Sequence, residues 1–322
     1  MRTAIILVPV TDPRKKRLEM ALSGWRIEYF YGKEISLDVL EKAEIIFGEP
    51  EPASLTRAKT LKWLALSWAG ADRYAKYPDF PEGVTLTCAS GAYGVTIAEH
   101  AMAMALSLCR RLPGYAEGQK NRVWKDLGAE KLISGSTALV LGTGDLGSEI
   151  ARRLKAFGAS VIGVRRHPSD AFPPFDEIHG MDSLDALLPR ADFLFGCLPD
   201  TPRTKGILNL RTLKLLPEDA VLVNVGRGSL IVTSDLETVL TDCPLLGAGL
   251  DVTDPEPLPP ESPLWTMPNV ILTPHVAGVG FGHAADTGER IWDGFIRNCA
   301  CYLNKEKLGG VIDLSEGYAS GK

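Results

Sequence analysis

The sequence predicts an α/β protein whose larger part is a doubly wound parallel sheet, and three consecutive segments support this. Ala138 to Leu141 is an apolar run typical of a strand that is buried on both faces. The glycine turn Gly142-Thr-Gly-Asp-Leu-Gly147 follows it, and apolar residues then recur at helical spacing as far as Phe157. Ser160 to Val164 is typical of a second, parallel strand.

The position of the glycine turn between a strand and a helix predicts a dinucleotide site. A tight turn of this kind lets the backbone approach a pyrophosphate, whose charge is met by the N–H groups and dipole of the helix N-terminus. An isolated GxGxxG sequence is a weak signal, and its place in a strand–turn–helix–strand unit makes it specific. The cofactor contacts predicted here come from Gly142, Gly144, Asp145, Leu146 and Gly147.

The 322 residues predict two domains, and a net charge of −5 gives no general attraction to nucleic acid or to an anionic membrane. The sequence has no apolar run of about 20 residues, and its N-terminus has a strand pattern rather than a signal-peptide pattern, which predicts a cytoplasmic protein.

The six cysteines form no CxxC pair and are expected to be buried thiols. No metal site is expected, since the histidines at 167, 179 and 283 lack ligand spacing.

Strand-like and helical segments alternate along the first 95 residues, which predicts a smaller, flavodoxin-like α/β domain. The helix beginning near Val95 is expected to end at Leu112, before Pro113-Gly114. The other predicted segments are Ala4–Val8, Pro13–Leu22 (a helix), Ile27–Tyr31, Glu44–Phe47, Leu61–Ser67 and Val84–Cys88.

Six strands are predicted in the larger sheet, counting from Ala138. Asp182-Ser183 is expected to cap a short helix through Leu188. A long helix from about His283 to Leu303, with a stripe including Trp292 and Leu303, is expected to return the chain to the first domain. The predicted domains are therefore 1–95 with 284–322 for substrate binding, and 96–283 for the dinucleotide. The four later strands are Ala191–Leu198, Ala220–Val225, Leu246–Asp251 and Val270–Thr273.

Three loops after predicted strands carry polar residues suited to work on a carboxylic acid. Arg227, in Asn224-Val-Gly-Arg-Gly228, offers a planar fork to a carboxylate. His275 can exchange a proton with an oxygen near the cofactor, and Glu256 can orient its imidazole and favour the protonated form. All three are expected at the carboxyl side of the sheet, where the cofactor lies.

These motifs together resemble the D-isomer-specific 2-hydroxyacid dehydrogenase family over nearly the full chain. The resemblance implies a Rossmann-type dinucleotide domain, with Arg227 binding substrate, His275 as general acid/base and Glu256 as its partner. It further implies that Asn224, Val225, Gly226 and Asp251 hold the nicotinamide and that Thr204 lies on the adenine side. Leu198, Pro199 and Gly278 are the other cofactor contacts that the resemblance implies. The matching segments are Gly142–Gly147, Leu198-Pro199-Asp-Thr-Pro-Arg-Thr204, Asn224–Gly228, Asp251 with Pro255–Leu258, and Thr273–Gly278.

The same resemblance implies a substrate-carboxylate loop in the first domain, similar to Ser67-Trp-Ala-Gly-Ala-Asp72. The predicted substrate contacts there are Trp68, Ala69 and Gly70, although the family pattern assigns no role to the Trp68 side chain. Tyr93, in a glycine-bracketed loop, either lines the substrate pocket or is an ordinary loop aromatic. His100, on the following helix, is expected to be structural.

The predicted cofactor is NADP(H), with NAD(H) possible. Folds that prefer NAD place a carboxylate after the second strand to bind the ribose 2′-hydroxyl. This chain has Arg165-Arg166 there and no carboxylate before Asp170, and two guanidinium groups favour a 2′-phosphate.

Three other functions fit the sequence less well than that of a glyoxylate/hydroxypyruvate reductase-like enzyme. A methyltransferase would want an acidic residue where Arg165 stands, and a nucleotide-sensing corepressor-like protein would not need Arg227, Glu256 and His275 together. A 3-phosphoglycerate dehydrogenase would need a second cationic anchor for the substrate phosphate. The loop Ser90–Gly94 has no cation, and the loop Ser67–Asp72 has only the acidic Asp72 before Arg73, which is the one candidate. An unphosphorylated 2-oxo acid is therefore favoured. The resemblance also implies a homodimer, with Val95–Leu112 near the interface.

Overall fold

The computed structural model of the chain describes residues 1–242, 245–281 and 285–319. It divides into two compact units, the first formed by Met1–Tyr93 and Val279–Lys322 and the second by Gly94–Gly278. Cys243 lies outside the described residues, as does His283 with the predicted domain boundary and the predicted start of the last helix.

The first unit contains a parallel sheet of five strands that alternate with short helices. Its elements before residue 94 are β1 (Thr3–Ile6), α1 (Asp12–Ala21), β2 (Arg26–Tyr29), α2 (Leu37–Leu40), β3 (Ala43–Phe47), β4 (Trp63–Ala65), α3 (Asp72–Ala75) and β5 (Thr85–Thr87), with a 3-10 helix at Pro52–Arg57. The strand order is β2-β1-β3-β4-β5, which is the predicted flavodoxin-like order. The carboxyl ends of β3 and β4 therefore lie side by side, so the loops after Phe47 and Ala65 share one edge of the sheet.

The second unit contains a parallel sheet of seven strands. Its elements are α4 (Gly94–Cys109), α5 (Leu112–Lys120), β6 (Thr137–Leu141), α6 (Asp145–Ala156), β7 (Ser160–Arg165), β8 (Glu177–Gly180), α7 (Leu184–Leu187), β9 (Phe193–Gly196), α8 (Leu210–Leu213), β10 (Val221–Asn224), α9 (Thr233–Asp242), β11 (Gly247–Leu250) and β12 (Val270–Leu272). Short 3-10 helices lie at Met181–Ser183, Leu188–Arg190, Gly228–Leu230 and Pro263–Trp265. The order β12-β11-β10-β9-β6-β7-β8 reverses between β9 and β6, as in the predicted doubly wound fold.

Strand β6 is covered on both faces, as its apolar run predicts. Leu139 and Leu141 belong to one hydrophobic cluster of the second unit, whereas Ala138 and Val140 belong to the other. Side chains alternate between the faces of a strand, so the two clusters lie on opposite sides of the sheet. The central strand is thereby fixed between two cores, and the glycine turn at its end is held in place.

Strand β8 was missed, so the prediction of six strands is wrong by one. It lies at the edge of the sheet beside β7, and its sequence Glu-Ile-His-Gly has no apolar run. An edge strand is covered less than a central one, and its polar residues remain accessible. In β8, Glu177 binds both His179 and Arg190.

Two helix predictions in this unit also need correction. The helix predicted to Leu112 ends at Cys109, and a second helix, α5, begins at Leu112 and includes Pro113 in its first turn. Arg111 lies between the two helices and has a left-handed φ of 51°, which ends the first helix. Pro113 is tolerated in α5 because an N–H group in the first turn of a helix has no acceptor within that helix. Ser183 precedes α7, but its side chain makes no capping hydrogen bond.

The C-terminal helix α10 (Ala285–Asn304) belongs to the first unit, together with the antiparallel strands β13 (Ile312–Asp313) and β14 (Tyr318–Ala319). Trp292 and Phe295 of α10 pack against Phe47, with ring centroids 5.1 and 3.9 Å away. Leu303, predicted as part of the apolar stripe, is instead 39% exposed. Across the described residues, none of the helices has the length and apolar character needed to span a membrane.

Candidate active site

The glycine turn after β6 has the geometry of a dinucleotide cradle. The Gly142 N–H donates to the Val164 carbonyl of β7 over 2.8 Å, and Gly142 has a φ of 107° that favours glycine. A Cβ atom on Gly147 would lie 1.8 Å from the Gly142 carbonyl oxygen, so no side chain fits there. Gly144 precedes α6 and has open space beside it. A pyrophosphate could therefore approach the helix N-terminus, and these residues fit a dinucleotide cofactor.

Asp145 and Leu146 open helix α6, and the Asp145 carboxylate also has a structural partner. Its Oδ2 accepts a hydrogen bond of 3.0 Å from the N–H of Gly94, the first residue of α4. No local sequence pattern predicts this contact, because the two residues are 51 positions apart. Asp145 thus ties the N-terminus of α4 to the glycine turn.

Arg165 and Arg166 lie at the carboxyl end of β7, next to that turn. Arg165 follows Val164, whose carbonyl binds Gly142, so the chain places these arginines beside the strand end that leads into the glycine turn. Both residues are half-buried.

The loop after β9 contributes the predicted cofactor residues Leu198, Pro199 and Thr204. A Cβ atom on Gly142 would lie 2.9 Å from the Cys197 carbonyl oxygen, so this loop runs against the glycine turn. The Thr204 hydroxyl donates to the Pro199 carbonyl over 2.6 Å and accepts from the Thr201 N–H. Thr204 therefore shapes the loop from within.

The loop after β10 holds Arg227. Asn224 is completely buried, and its side chain donates to the Arg227 carbonyl over 2.9 Å and accepts from the Gly226 N–H over 3.2 Å. Val225 is buried beside it. Arg227 itself is half-buried, and its Nη1 donates to the Gly226 carbonyl over 2.8 Å. Asn224 thus fixes the loop that carries the guanidinium.

His275 and Glu256 lie in contact. His275 Nδ1 is 2.7 Å from Glu256 Oε1, and about half of each side chain is exposed. His275 has a left-handed φ of 54°, a strained conformation for a residue with a side chain. Its N–H donates to the Asp251 carbonyl over 2.8 Å, which helps to hold that conformation.

Asp251, predicted at the nicotinamide, is buried and anchors the His275 loop. Its carboxylate accepts hydrogen bonds from the Thr273 hydroxyl (2.6 Å) and from the N–H groups of Val276 (2.9 Å) and Ala277 (3.0 Å). His100 Nε2 forms a hydrogen bond of 3.0 Å with the Thr273 hydroxyl, so His100 supports the same loop. Gly278, also predicted to contact the cofactor, is half-buried at the end of this segment.

The predicted substrate residues Trp68, Ala69, Gly70 and Tyr93 belong to the first unit. Trp68 and Ala69 are exposed, and Gly70 is half-buried. Tyr93 is buried, and its hydroxyl donates to the Ser67 carbonyl over 2.7 Å, so it supports the loop rather than facing a pocket with its hydroxyl. Burial raises the pKa of that hydroxyl above its ordinary value.

Glu49, which is absent from the residues predicted above, also holds this loop. Its Oε1 accepts hydrogen bonds from the N–H groups of Ser67 (2.7 Å) and Trp68 (3.2 Å). Burial raises the pKa of the Glu49 carboxyl, which the hydrogen bonds from Ser67 partly offset. A carboxylate directly after a buried strand, in Gly48-Glu49-Pro50, is a signal that could have identified it.

The remaining predictions concern cysteines and metals. Cys88, Cys109 and Cys299 are buried free thiols as expected, whereas the free thiols Cys197 and Cys301 are half-buried. Within residues 1–242, 245–281 and 285–319, no group of three or more His, Cys, Asp or Glu side chains is arranged to hold a metal ion.

Comparison with known proteins identifies the family. The family model described as "D-isomer specific 2-hydroxyacid dehydrogenase, NAD binding domain" matches residues 102–277. Glyoxylate/hydroxypyruvate reductase A of Photorhabdus laumondii is 33% identical over 278 residues, which cover 84% of this chain and 85% of that protein.

Solved structures agree with this assignment. A D-isomer-specific 2-hydroxyacid dehydrogenase family protein from Aeromonas salmonicida is 32% identical with a TM-score of 0.83, and the match covers 97% of this chain and 99% of that one. The NADPH-dependent glyoxylate/hydroxypyruvate reductase of Sinorhizobium meliloti, solved with NADP and sulfate, is 29% identical with a TM-score of 0.83 over 99% and 100% of the two chains. The chain therefore belongs to the D-isomer-specific 2-hydroxyacid dehydrogenases, a family of NAD(P)-dependent oxidoreductases.

Proposed function

We propose that this protein reduces a small, unphosphorylated 2-oxo acid of the glyoxylate or hydroxypyruvate type to the D-2-hydroxy acid, with NADPH favoured over NADH. The observation that carries the proposal is the contact of His275 with Glu256 on loops that follow strands of the same sheet as the glycine turn. Arg227 follows a third strand of that sheet, at the same carboxyl edge. The names of the Photorhabdus and Sinorhizobium relatives support the substrate class.

The side chains divide the work of binding and proton transfer. The bound nicotinamide cofactor supplies the hydride. Arg227 would orient the substrate carboxylate and polarise the carbonyl with its planar fork of donors. The Glu256 carboxylate would accept a hydrogen bond from the Nδ1–H of His275, which leaves Nε2 to deliver a proton to the carbonyl oxygen.

The cofactor would be held mainly by backbone in the second unit. Gly142, Gly144 and Gly147, with the amides of Asp145 and Leu146, would bind the pyrophosphate. The loops at Leu198–Thr204 and Asn224–Gly226 and the segment from Asp251 to Gly278 would surround the remaining parts. Asp251 and Thr204 would act chiefly by shaping their loops, since their side chains bind within the protein.

Preference for NADPH would come from Arg165 and Arg166. Arg165 is the last residue of the strand beside the glycine turn and Arg166 follows it, at the place where a ribose 2′-phosphate would need positive charge. The Sinorhizobium structure, named NADPH-dependent, supports the same assignment here.

The substrate carboxylate would be bound by backbone amides of the loop 67–72 in the first unit. The substrate contacts in this proposal are Ala69 and Gly70, with Trp68 on the exposed side and Tyr93 as support. The first unit would thus be the substrate-binding domain and the second the dinucleotide-binding domain.

We further propose a homodimer. The α4 residues near the predicted interface, such as Ala98 and Ala105, are fully buried within the second unit, but the next segment exposes large apolar side chains. Trp124 is fully exposed, and Leu112, Val123 and Leu132 are each more than half exposed, which a second copy would cover. Light scattering of the native chain should give twice the monomer mass, and Trp124→Asp should lower this mass.

We also propose a cytoplasmic location. The described cysteines are free thiols, and the cytosol keeps thiols reduced.

A substrate panel tests the function. Glyoxylate, hydroxypyruvate and 3-phosphohydroxypyruvate are assayed with NADPH and with NADH, and the configuration of the glycerate formed is determined by chiral chromatography. We expect turnover of the first two acids, NADPH as the better donor, and D-glycerate. Absence of turnover with every acid, or formation of L-glycerate, would contradict the proposal.

A further inference from the structure

Glu49 lies where it can set the conformation of the proposed substrate loop. It follows β3, Ser67 follows the neighbouring β4, and the Gly48 N–H donates to the Ala65 carbonyl over 2.8 Å. The two strand ends are therefore fixed to each other before either loop begins. The Glu49 side chain then reaches across to the start of the substrate loop.

The hydrogen bonds of the first two loop residues are accounted for. Glu49 accepts the N–H groups of Ser67 and Trp68, and both of its oxygens lie 3.0 Å from the Ser67 hydroxyl. On the other side, the Tyr93 hydroxyl binds the Ser67 carbonyl, and the Ala89 N–H donates to the Trp68 carbonyl over 2.8 Å. Residues 67 and 68 are thus clamped from two directions.

We infer that Glu49 is a positioning residue for substrate: by occupying the amides of Ser67 and Trp68, it directs the amides of Ala69 and Gly70 toward the substrate carboxylate. The inference rests on the proposed function for the role of this loop. Glu49 does not touch the substrate in this scheme, and it acts through the loop backbone.

The chain offers matched variants. Glu49→Ala removes the acceptor, whereas Glu49→Gln keeps one acceptor oxygen of similar reach, replaces the other oxygen with an NH2 donor and removes the charge. Glu51→Ala is the control, because Glu51 is a carboxylate two residues away that pairs with Arg73 on the surface. Hydrogen exchange of the Ser67 and Trp68 amides reports the contact without any turnover.

For Glu49→Ala we expect faster exchange of both amides and a KM for the 2-oxo acid raised roughly 10-fold or more, with a smaller change in kcat and an unchanged Kd for NADPH. Glu49→Gln should restore KM to within about threefold of the wild type, and Glu51→Ala should match the wild type.

Other outcomes separate the two ideas. An unchanged KM in Glu49→Ala, or equal defects in the Ala and Gln variants, would overturn the positioning role. A weakened Kd for NADPH in Glu49→Ala would also overturn it, because the effect would then extend beyond the loop. If the wild type reduces no 2-oxo acid, the proposed function fails instead, and the exchange data alone decide whether Glu49 holds the loop.

Discussion

His275 Nδ1 lies 2.7 Å from Glu256 Oε1, although the two residues are 19 positions apart. Glu256 lies in the segment after β11 and His275 follows β12, and these strands are neighbours in the sheet. An ionised carboxylate has no proton to donate and can only accept a hydrogen bond, so Nδ1 is the protonated nitrogen in this contact. Nε2 is therefore the ring nitrogen that remains for proton exchange with a substrate oxygen, which is the arrangement that an acid/base catalyst requires.

Replacing His275 by Gln should lower kcat by about 10² to 10⁴, because the proton donor is lost. The Kd for NADPH, measured by fluorescence titration, should stay near the wild-type value. His179→Gln is the control, since His179 pairs with Glu177 on the edge strand. Near-normal turnover of the His275 variant would remove this residue from the mechanism.

Replacing Glu256 by Gln should lower kcat for the 2-oxo acid by roughly fivefold or more, because a neutral amide binds the imidazole more weakly than a carboxylate does and Nε2 is then less well oriented. Steady-state kinetics at saturating NADPH measure this, and the Kd for NADPH should stay unchanged. A kcat equal to that of the wild type would show that the contact has no influence on proton transfer.

The sequence was sufficient wherever a local pattern determines the structure. The apolar run at Ala138–Leu141 and the glycines after it predicted β6, the turn and α6, because each needs only neighbouring residues. β8 was not predicted, because an edge strand needs no apolar run. The roles of Glu49 and Asp251 in anchoring loops were not predicted for another reason. Their hydrogen-bond partners are 18 to 26 positions away, and the local spacing of residues carries no information about such contacts.

Replacing Arg165 and Arg166 together by Ser should lower the ratio of kcat/KM for NADPH to that for NADH by roughly 10- to 100-fold. A charge-assisted hydrogen bond to a phosphate contributes about 1.5 to 3 kcal/mol, and NADH lacks that phosphate. Arg190→Ser is a suitable control, because this arginine binds Glu177. A wild-type preference for NADH that the double variant leaves unchanged would refute the assignment.

Replacing Glu49 by Gln should change how stability depends on pH. Burial raises the pKa of this carboxyl, so the folded state holds the proton more tightly than the unfolded state does. The free energy of unfolding contributed by Glu49 therefore falls as pH rises from the ordinary carboxyl range through the raised value, and it levels off above it. The charged and titratable groups that face it are Arg73, Tyr74 and Tyr93.

Urea unfolding at pH 4 and pH 8 measures this effect as a difference between proteins. The wild type should lose stability relative to Glu49→Gln between the two pH values, whereas Glu51→Gln should follow the wild type. Parallel pH dependence of the wild type and Glu49→Gln would mean that the carboxyl is not perturbed.

The charge around the substrate loop predicts which acids react best. Arg73 is the cation next to this loop, and it pairs with Glu51, both side chains being well exposed. Asp72 lies beside Arg73 in this loop, and a phosphate dianion could recruit Arg73 only by displacing Glu51 from its ion pair. We expect kcat/KM for hydroxypyruvate to exceed that for 3-phosphohydroxypyruvate by roughly tenfold or more, and Arg73→Ala to leave this ratio unchanged. If the phosphorylated acid reacted better and Arg73→Ala abolished its advantage, Arg73 would be a phosphate anchor and a 3-phosphoglycerate dehydrogenase would be the better description.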